Sequence, residues 1–198
     1  MGAADPQAER DVREHVAVGD STSAAGMVWR AYGAELYGWL VASHGHVDAS
    51  DIASAVRLAL VRAVGEFRGE SSARTWLYQI ARREVVAHHR ALKRTRALLT
   101  PLENHPSAEA RPLSRSTSAA RELELAALRG SLDTDEQALL SLRYDRGLSY
   151  SEIARIWFDV LDPEEVSRGA ARLRQRVHAL KSRLRRALRP PERETNAR

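Results

Sequence analysis

Close to its C-terminal end the chain gathers groups that bind anions. Arg172, Arg174, Gln175, Arg176 and His178 fall within about two helical turns in the run ARLRQRVHALKSRLRRALR. A guanidinium offers a fork of donors that matches phosphate oxygens or the O6 and N7 edge of guanine, and a Gln amide matches adenine. A second group, Trp76, Tyr78, Arg82 and Arg83, joins aromatic faces to fixed cations. That pairing suits unstacked, single-stranded bases.

Other polar clusters promise less. His44-Gly45-His46-Val47-Asp48 has the outline of an HxHxD metal motif, but the next histidine, the distal ligands and a strand-rich scaffold are missing, so a polar loop explains it. His88-His89 beside Glu84 is no helical metal pair, because adjacent residues on a helix point about 100° apart; one histidine is expected to pack and the other to face solvent. The sequence contains no cysteine, which removes disulfides, thiolate metal sites and thiol nucleophiles, and it fits a reducing compartment. With no nucleophile and base set, phosphate loop or paired-carboxylate motif in view, the residues argue against catalysis and call for no cofactor or metal.

The anion-binding groups need elements to hold them. Asp162 to Arg189 reads as one long helix: Val166, Ala170, Leu173, Val177, Leu180, Leu184 and Leu188 recur at steps of mostly three and four, forming an apolar stripe with the cations on the other faces. Asp162 is a good N-cap, Pro163 suits the first position, Glu165 completes a capping-box-like start, and Pro190-Pro191 stops the helix. Ser72 to Leu99 is a second two-faced helix. Trp76, Leu77, Ile80, Ala81 and Val85 lean toward a core, while Arg74, Gln79, Arg82, Arg83, Arg90, Lys93, Arg94 and Arg96 crowd the rest. Ser71 or Ser72 can cap it, and Gly69 makes the preceding turn.

Two more helices are expected before it, one around 24–41 and one around 51–67, separated by a turn at SHGHVDASD. Among the four tryptophans, Trp29, Trp39 and Trp157 read as core anchors. Downstream, Asp133 or Thr134 starts one helix, Ser149 with Glu152 starts another as a capping box, and Gly147 turns the corner between them. The last two helices, closely joined, have the pattern of a helix-turn-helix.

Composition supports an all-α chain of two small domains. Hydrophobic residues make up 43% of the 198, charged residues 29% and aromatics 6%, with few alternating β-branched runs. The formal charge of +5 and pI near 10.0 favour polyanionic partners. Segment 100–120 has three prolines, several serines and no apolar period, so it reads as a linker. The expected division is a flexible tail at 1–23, a helical domain at 24–99, the linker, a helix-turn-helix domain at 121–189 and a tail at 190–198. No apolar run approaches the roughly 18–20 residues of a membrane span, and the N-terminus lacks a signal peptide's apolar centre; a cytoplasmic protein is expected.

FRGESSARTWLYQIARREVVAHHR resembles the second domain of the extracytoplasmic-function group of bacterial RNA polymerase sigma factors, and LDTDEQALLSLRYDRGLSYSEIARI resembles the fourth domain of sigma factors. The two segments stand in the family's order with a linker between them, and the likeness covers roughly 24–93 and 121–189. It implies a dissociable promoter-specificity subunit whose partners are core RNA polymerase and promoter DNA; an anti-sigma factor is a further partner it allows. The second domain would clasp a coiled coil of the polymerase and help melt the minus-ten element, and the fourth would read the minus-thirty-five element. The polymerase-contacting motif would begin at Asp48-Ala49-Ser50-Asp51-Ile52. Trp76, Arg82 and Arg83 would lie on the promoter-melting helix, and Arg172, Arg174, Gln175, Arg176 and His178 on the recognition helix. Against the family pattern, roughly 159–169 is an insertion, which the caps at Asp162 and Pro163 turn into an N-terminal lengthening of the recognition helix. Two other roles are open to the same fold: an interaction protein that does not direct polymerase, and a DNA-binding regulator that uses only its C-terminal unit.

Overall fold

The computed structural model describes residues 4–98 and 132–187. They form helices and connecting turns, with no strand among the described residues. The helices are α1 Pro6–Ala17, α2 Ser21–Ala63, α3 Ala73–Leu98, α4 Thr134–Leu140, α5 Tyr150–Phe158 and α6 Pro163–Ala187. A 3-10 turn, Val64–Glu66, follows α2, and a π-helical turn, Ser141–Asp145, follows α4. The linker at 100–120, the first part of the expected helix-turn-helix domain at 121–131, and Leu188 and Arg189 lie outside the described residues.

The N-terminus is helical where the sequence suggests a loose tail. Asp5 accepts from the Gln7 amide at 2.9 Å and Pro6 takes the first position of α1. What holds this helix down is long-range. The Glu9 carboxylate is buried and accepts from the Ala73 amide at 2.7 Å, the Arg74 amide at 3.2 Å and the Tyr32 hydroxyl at 2.9 Å. Those two amides are first-turn donors of α3, which have no partner inside their own helix. A carboxylate at that positive end therefore caps α3 from a separate helix. Ser72 adds the local cap, its Oγ accepting from the Thr75 amide at 3.0 Å.

In α2 the predicted turn at 43–51 narrows to Gly45, whose φ of 76° and ψ of 169° lie outside the helical region, so two helical segments meet there at a kink. A Cβ would be strained there, so glycine is what the break requires. Asp48 and Ser50 both lie in the helical segment that follows this kink.

The two halves of the chain share one apolar core. Leu36, Trp39, Leu60, Leu77 and Tyr78 from the N-terminal half belong to the same buried cluster as Leu139, Leu142, Ile153, Ile156 and Leu173 from the C-terminal half. Trp39 is fully buried and its indole Nε1 donates to the Ala138 carbonyl at 3.2 Å. Helix α3 packs on α2 and on α5, while α4 packs on α2. Local signals in the C-terminal half agree with the structure: Asp133 with Glu136 and Ser149 with Glu152 form capping boxes, and Gly147 has a φ of 67°. Helix α6 buries Val166, Ala170, Leu173, Val177 and Leu180. Gly169 lets it approach α5 closely, since a Cβ there would lie 2.8 Å from the Phe158 ring.

Polar groups are trapped where the halves meet. Arg74 and Gln79, which the helical pattern assigns to a charged face, are buried. The Arg74 guanidinium pairs with Glu35 and donates to the Arg146 carbonyl at 2.8 Å; Tyr78 donates to Glu35 at 2.9 Å. The Gln79 amide donates to the Arg155 carbonyl at 3.2 Å. His44 sits edge-on to Trp39 and shares a 3.3 Å contact with His89. Its proton affinity is pushed down to a pKa of about 4, mainly by burial and then by His89 and Arg82.

Two measurements test this packing. Replacing Glu9 with Ala leaves two α3 amides and the Tyr32 hydroxyl without their acceptor, so urea denaturation should show a loss of about 1–3 kcal/mol; an unchanged midpoint would contradict the cap. For His44, an unfolded imidazole titrates near 6.5 and the folded one lower, so the unfolded state binds more protons between these values. The stability it supports is complete above pH 6.5 and falls as pH drops toward 4. After allowance for partial solvation of the ring, about 1 kcal/mol should be lost by about pH 5, and His44→Gln should flatten that slope in denaturant titrations at successive pH values.

Candidate nucleic-acid interface

The outer face of α6 carries the predicted anion-binding set. Arg172, Arg174, Gln175, Arg176 and His178 are exposed while the stripe behind them is buried, so the helix divides as its period requires. Aromatic rings fix part of this surface. The Arg174 guanidinium lies 5.4 Å from the Tyr150 ring, Arg143 lies 4.8 Å from the same ring, and Lys181 Nζ lies 4.6 Å from Tyr144. These contacts hold cations outward without neutralising them. Further along, Arg183 pairs with Glu136, and the guanidinium's hydrogen bond holds that carboxyl below its ordinary range. At the start of α6, Asp162 accepts from the Glu165 amide at 3.0 Å, and Glu164 and Glu165 are exposed. This end of the helix is anionic and its middle is cationic.

Around α3 the predicted residues separate. Trp76 is half-buried, its ring 5.1 Å from that of Phe67. Both rings line an open cavity of about 780 Å³ together with Arg68, Gln79 and Arg83 from the N-terminal half. Asp159 and Leu161, from the turn between α5 and α6, close its other side. Arg82 faces elsewhere, in a recess with His89, Arg90, Lys93 and Asp135, and its guanidinium lies 4.4 Å from the Trp157 ring.

Neither guanidinium is free. Arg82 pairs with Asp135 at 2.9 Å. Arg83 makes a two-pronged contact with Asp159, Nε to Oδ2 at 3.0 Å and a terminal nitrogen to Oδ1 at 2.6 Å. Sequence reasoning missed both carboxylates, since neither stands near α3 in the chain.

The predicted polymerase-contacting residues also divide. Ile52 is 1% exposed and belongs to the core, so it is withdrawn as a contact; at its place in α2 the buried stripe claims it. Asp51 is exposed, and Asp48 is half-buried with its carboxylate 3.4 Å from His88 Nε2. Leu58 and Val61, on the following turns of α2, are 53% and 52% exposed. The signal for them was in the sequence: the run LALV carries more apolar residues than one stripe can bury. His88 and His89 are both half-buried, against the expectation of one in and one out, because α2 and α4 flank that turn of α3. Among the described residues no set of three or more His, Asp or Glu side chains could hold a metal. None of the described helices is long and apolar enough to cross a membrane.

Comparison with known proteins adds two likenesses. The sequence profile of the Sigma-70 region 2 family matches residues 28–95, which spans most of α2, the cavity loop and nearly all of α3. The chain is also similar to the RNA polymerase sigma factor YlaC of Bacillus subtilis (strain 168), with 28% identity over 165 residues, covering 79% of this chain and 92% of that protein. The described elements are all helical, residues 28–95 match the Sigma-70 region 2 family, and the chain is similar to a sigma factor over most of its length.

Proposed function

We propose that the protein is a transcription initiation factor that binds core RNA polymerase and directs it to promoter DNA in the cytoplasm. The observation that carries this reading is the cavity beside α3, where Phe67 and Trp76 present adjoining rings next to a guanidinium, inside the segment that matches region 2. Such a site takes an unstacked base between aromatic and cationic groups and holds its phosphate with Arg83. Arg82, in the separate recess on the other side of α3, offers a second phosphate contact once its carboxylate partner is displaced.

Residues 24–99 act as the polymerase-binding and promoter-opening domain, residues 100–120 as the linker, and residues 121–189 as the domain that reads upstream DNA through a helix-turn-helix made of α5 and α6. On α6, Arg172, Arg174 and Arg176 contact phosphates or guanine edges, Gln175 reads adenine, and His178 borders the same groove. On α2, Asp48 and Asp51 supply the acidic contacts to polymerase, with Leu58 and Val61 as the apolar part of that surface. An anti-sigma factor completes the set of partners this reading implies.

A second reading has one observation in its favour. Arg82 and Arg83 are engaged by carboxylates, as they would be in a protein that keeps the fold but captures a partner protein and does not direct polymerase. Run-off transcription with purified core polymerase separates the two: specific initiation supports the first reading, and polymerase binding without initiation supports the second.

Replacing Arg174 and Arg176 with Ala should weaken duplex DNA binding, and the slope of log affinity against log salt should flatten by about one unit for each phosphate that is no longer neutralised. Fluorescence anisotropy across a salt series checks this. Unchanged affinity and slope would remove α6 from the interface.

A further inference from the structure

We infer that the C-terminal half latches the region 2 DNA site shut, with Asp159 and Asp135 occupying the places that DNA phosphates would take on Arg83 and Arg82. The inference rests on the promoter-DNA reading of those arginines and adds to it a closed state of the free chain.

Three features carry it. The first is geometry. Asp159 meets Arg83 through both carboxylate oxygens, at 2.6 and 3.0 Å, the fork-to-fork arrangement that a guanidinium also makes with phosphate. A backbone phosphate and this carboxylate cannot share the same donors. The second is how the carboxylate is delivered. Asp159 ends α5 in the left-handed conformation, with φ 56° and ψ 42°, and is the only non-glycine among the described residues with positive φ. Such a conformation is strained for an ordinary side chain, and Asp tolerates it better than most. It turns the carboxylate at that corner toward α3.

The third feature is the seal around the contact. Leu161 joins Asp159 on the wall of the cavity that holds Phe67 and Trp76. Arg155 donates to the Glu70 carbonyl at 3.3 Å, and Gln79 donates to the Arg155 carbonyl at 3.2 Å, tying the cavity loop and α3 to α5. On the far side of the same helix, Asp135 answers Arg82, whose guanidinium is also covered by the Trp157 ring. Both neighbouring guanidiniums are thus neutralised by separate segments of the C-terminal half. A binding-competent chain must part them, and its apparent affinity is reduced by the fraction that is open.

The test uses the full-length chain, a fluorescein-labelled single-stranded oligonucleotide and low salt. Asp159→Asn keeps the shape of the side chain and suits the left-handed corner, and Asp135→Asn removes the second charge. Ion pairs with a half-exposed carboxylate shift an equilibrium by roughly threefold each, so the double variant should bind about tenfold tighter than the parent. Trp157→Ala uncovers the Arg82 guanidinium without touching either carboxylate and should also tighten binding, which guards against a folding defect in the double variant. Equal or weaker binding by all of these variants, with native circular dichroism, would overturn the latch and leave the DNA reading standing. Absence of binding by parent and variants alike would instead overturn the DNA reading of the site, and the latch with it.

Discussion

The buried pair of Arg74 and Glu35 is the constraint around which this molecule is arranged. A guanidinium removed from water needs almost all of its donors met, because an unpaired buried charge costs several kcal/mol. Glu35 of α2 meets part of that demand, and the Arg146 carbonyl, brought by the turn after α4, meets another. Tyr78 then bonds to the same Glu35 carboxylate, and burial with that neighbouring charge pushes its phenol well above the usual tyrosine range. One side chain of α3 therefore fixes α2 on one side and the C-terminal half on the other. The Glu9 cap works at the same end of α3 and ties in α1. Helix α3 has few orientations left to it, and the aromatic cavity beside Trp76 inherits that rigidity.

The contacts between the halves differ in weight, and the difference bears on how the molecule works. Apolar burial around Trp39, Leu139 and Ile156 supplies most of the attraction, at roughly 25 cal/mol per Å² removed from water. The Arg83 and Asp159 pair is about half exposed on each side and contributes no more than about 1 kcal/mol. Its effect is on which surface is available, and it adds little to total stability. A shared core holds the two halves together, and weak, exchangeable carboxylates cover the cationic groups of α3. On the outer face of α6, Arg183 has a carboxylate partner in Glu136, whereas Arg174 is held outward by the Tyr150 ring, so the two cationic surfaces differ in how far their charges are covered.

Local signals made much of this legible in the sequence. The α6 stripe, the capping box at Ser149 and Glu152, the cap at Asp133, the corner at Gly147 and the cap at Ser72 follow from spacing within a few residues, and the structure reproduces them. The same periodicity misassigned Arg74 and Gln79, because a helix flanked on two sides buries polar groups whose partners lie far away in the chain. Ile52 was placed on a contact surface by family likeness, although its own stripe claimed it for the core. Periodicity could not join Glu9 to Ala73 or Asp159 to Arg83, since nothing in the local pattern of a carboxylate names a partner 64 or 76 residues distant. Composition likewise suggested two domains and left open that they bury one core between them.

The ends of α6 decide how a duplex could meet it. Asp162, Glu164 and Glu165 favour the positive end of the helix dipole and so stabilise the helix itself. They also place negative charge where the tip of a recognition helix would otherwise approach phosphate. Arg174 lies about nine residues beyond Glu165, about 13 Å along the axis, and the cations continue from there toward the C-terminus. Electrostatics would therefore set the approach of any polyanion: it would be repelled from the tip and attracted to the middle, so a duplex would meet α6 side-on. Gly169 permits close packing of the first turns against Phe158 of α5, and the arginine-bearing turns that follow bury Leu173, Val177 and Leu180 while their cations stay exposed.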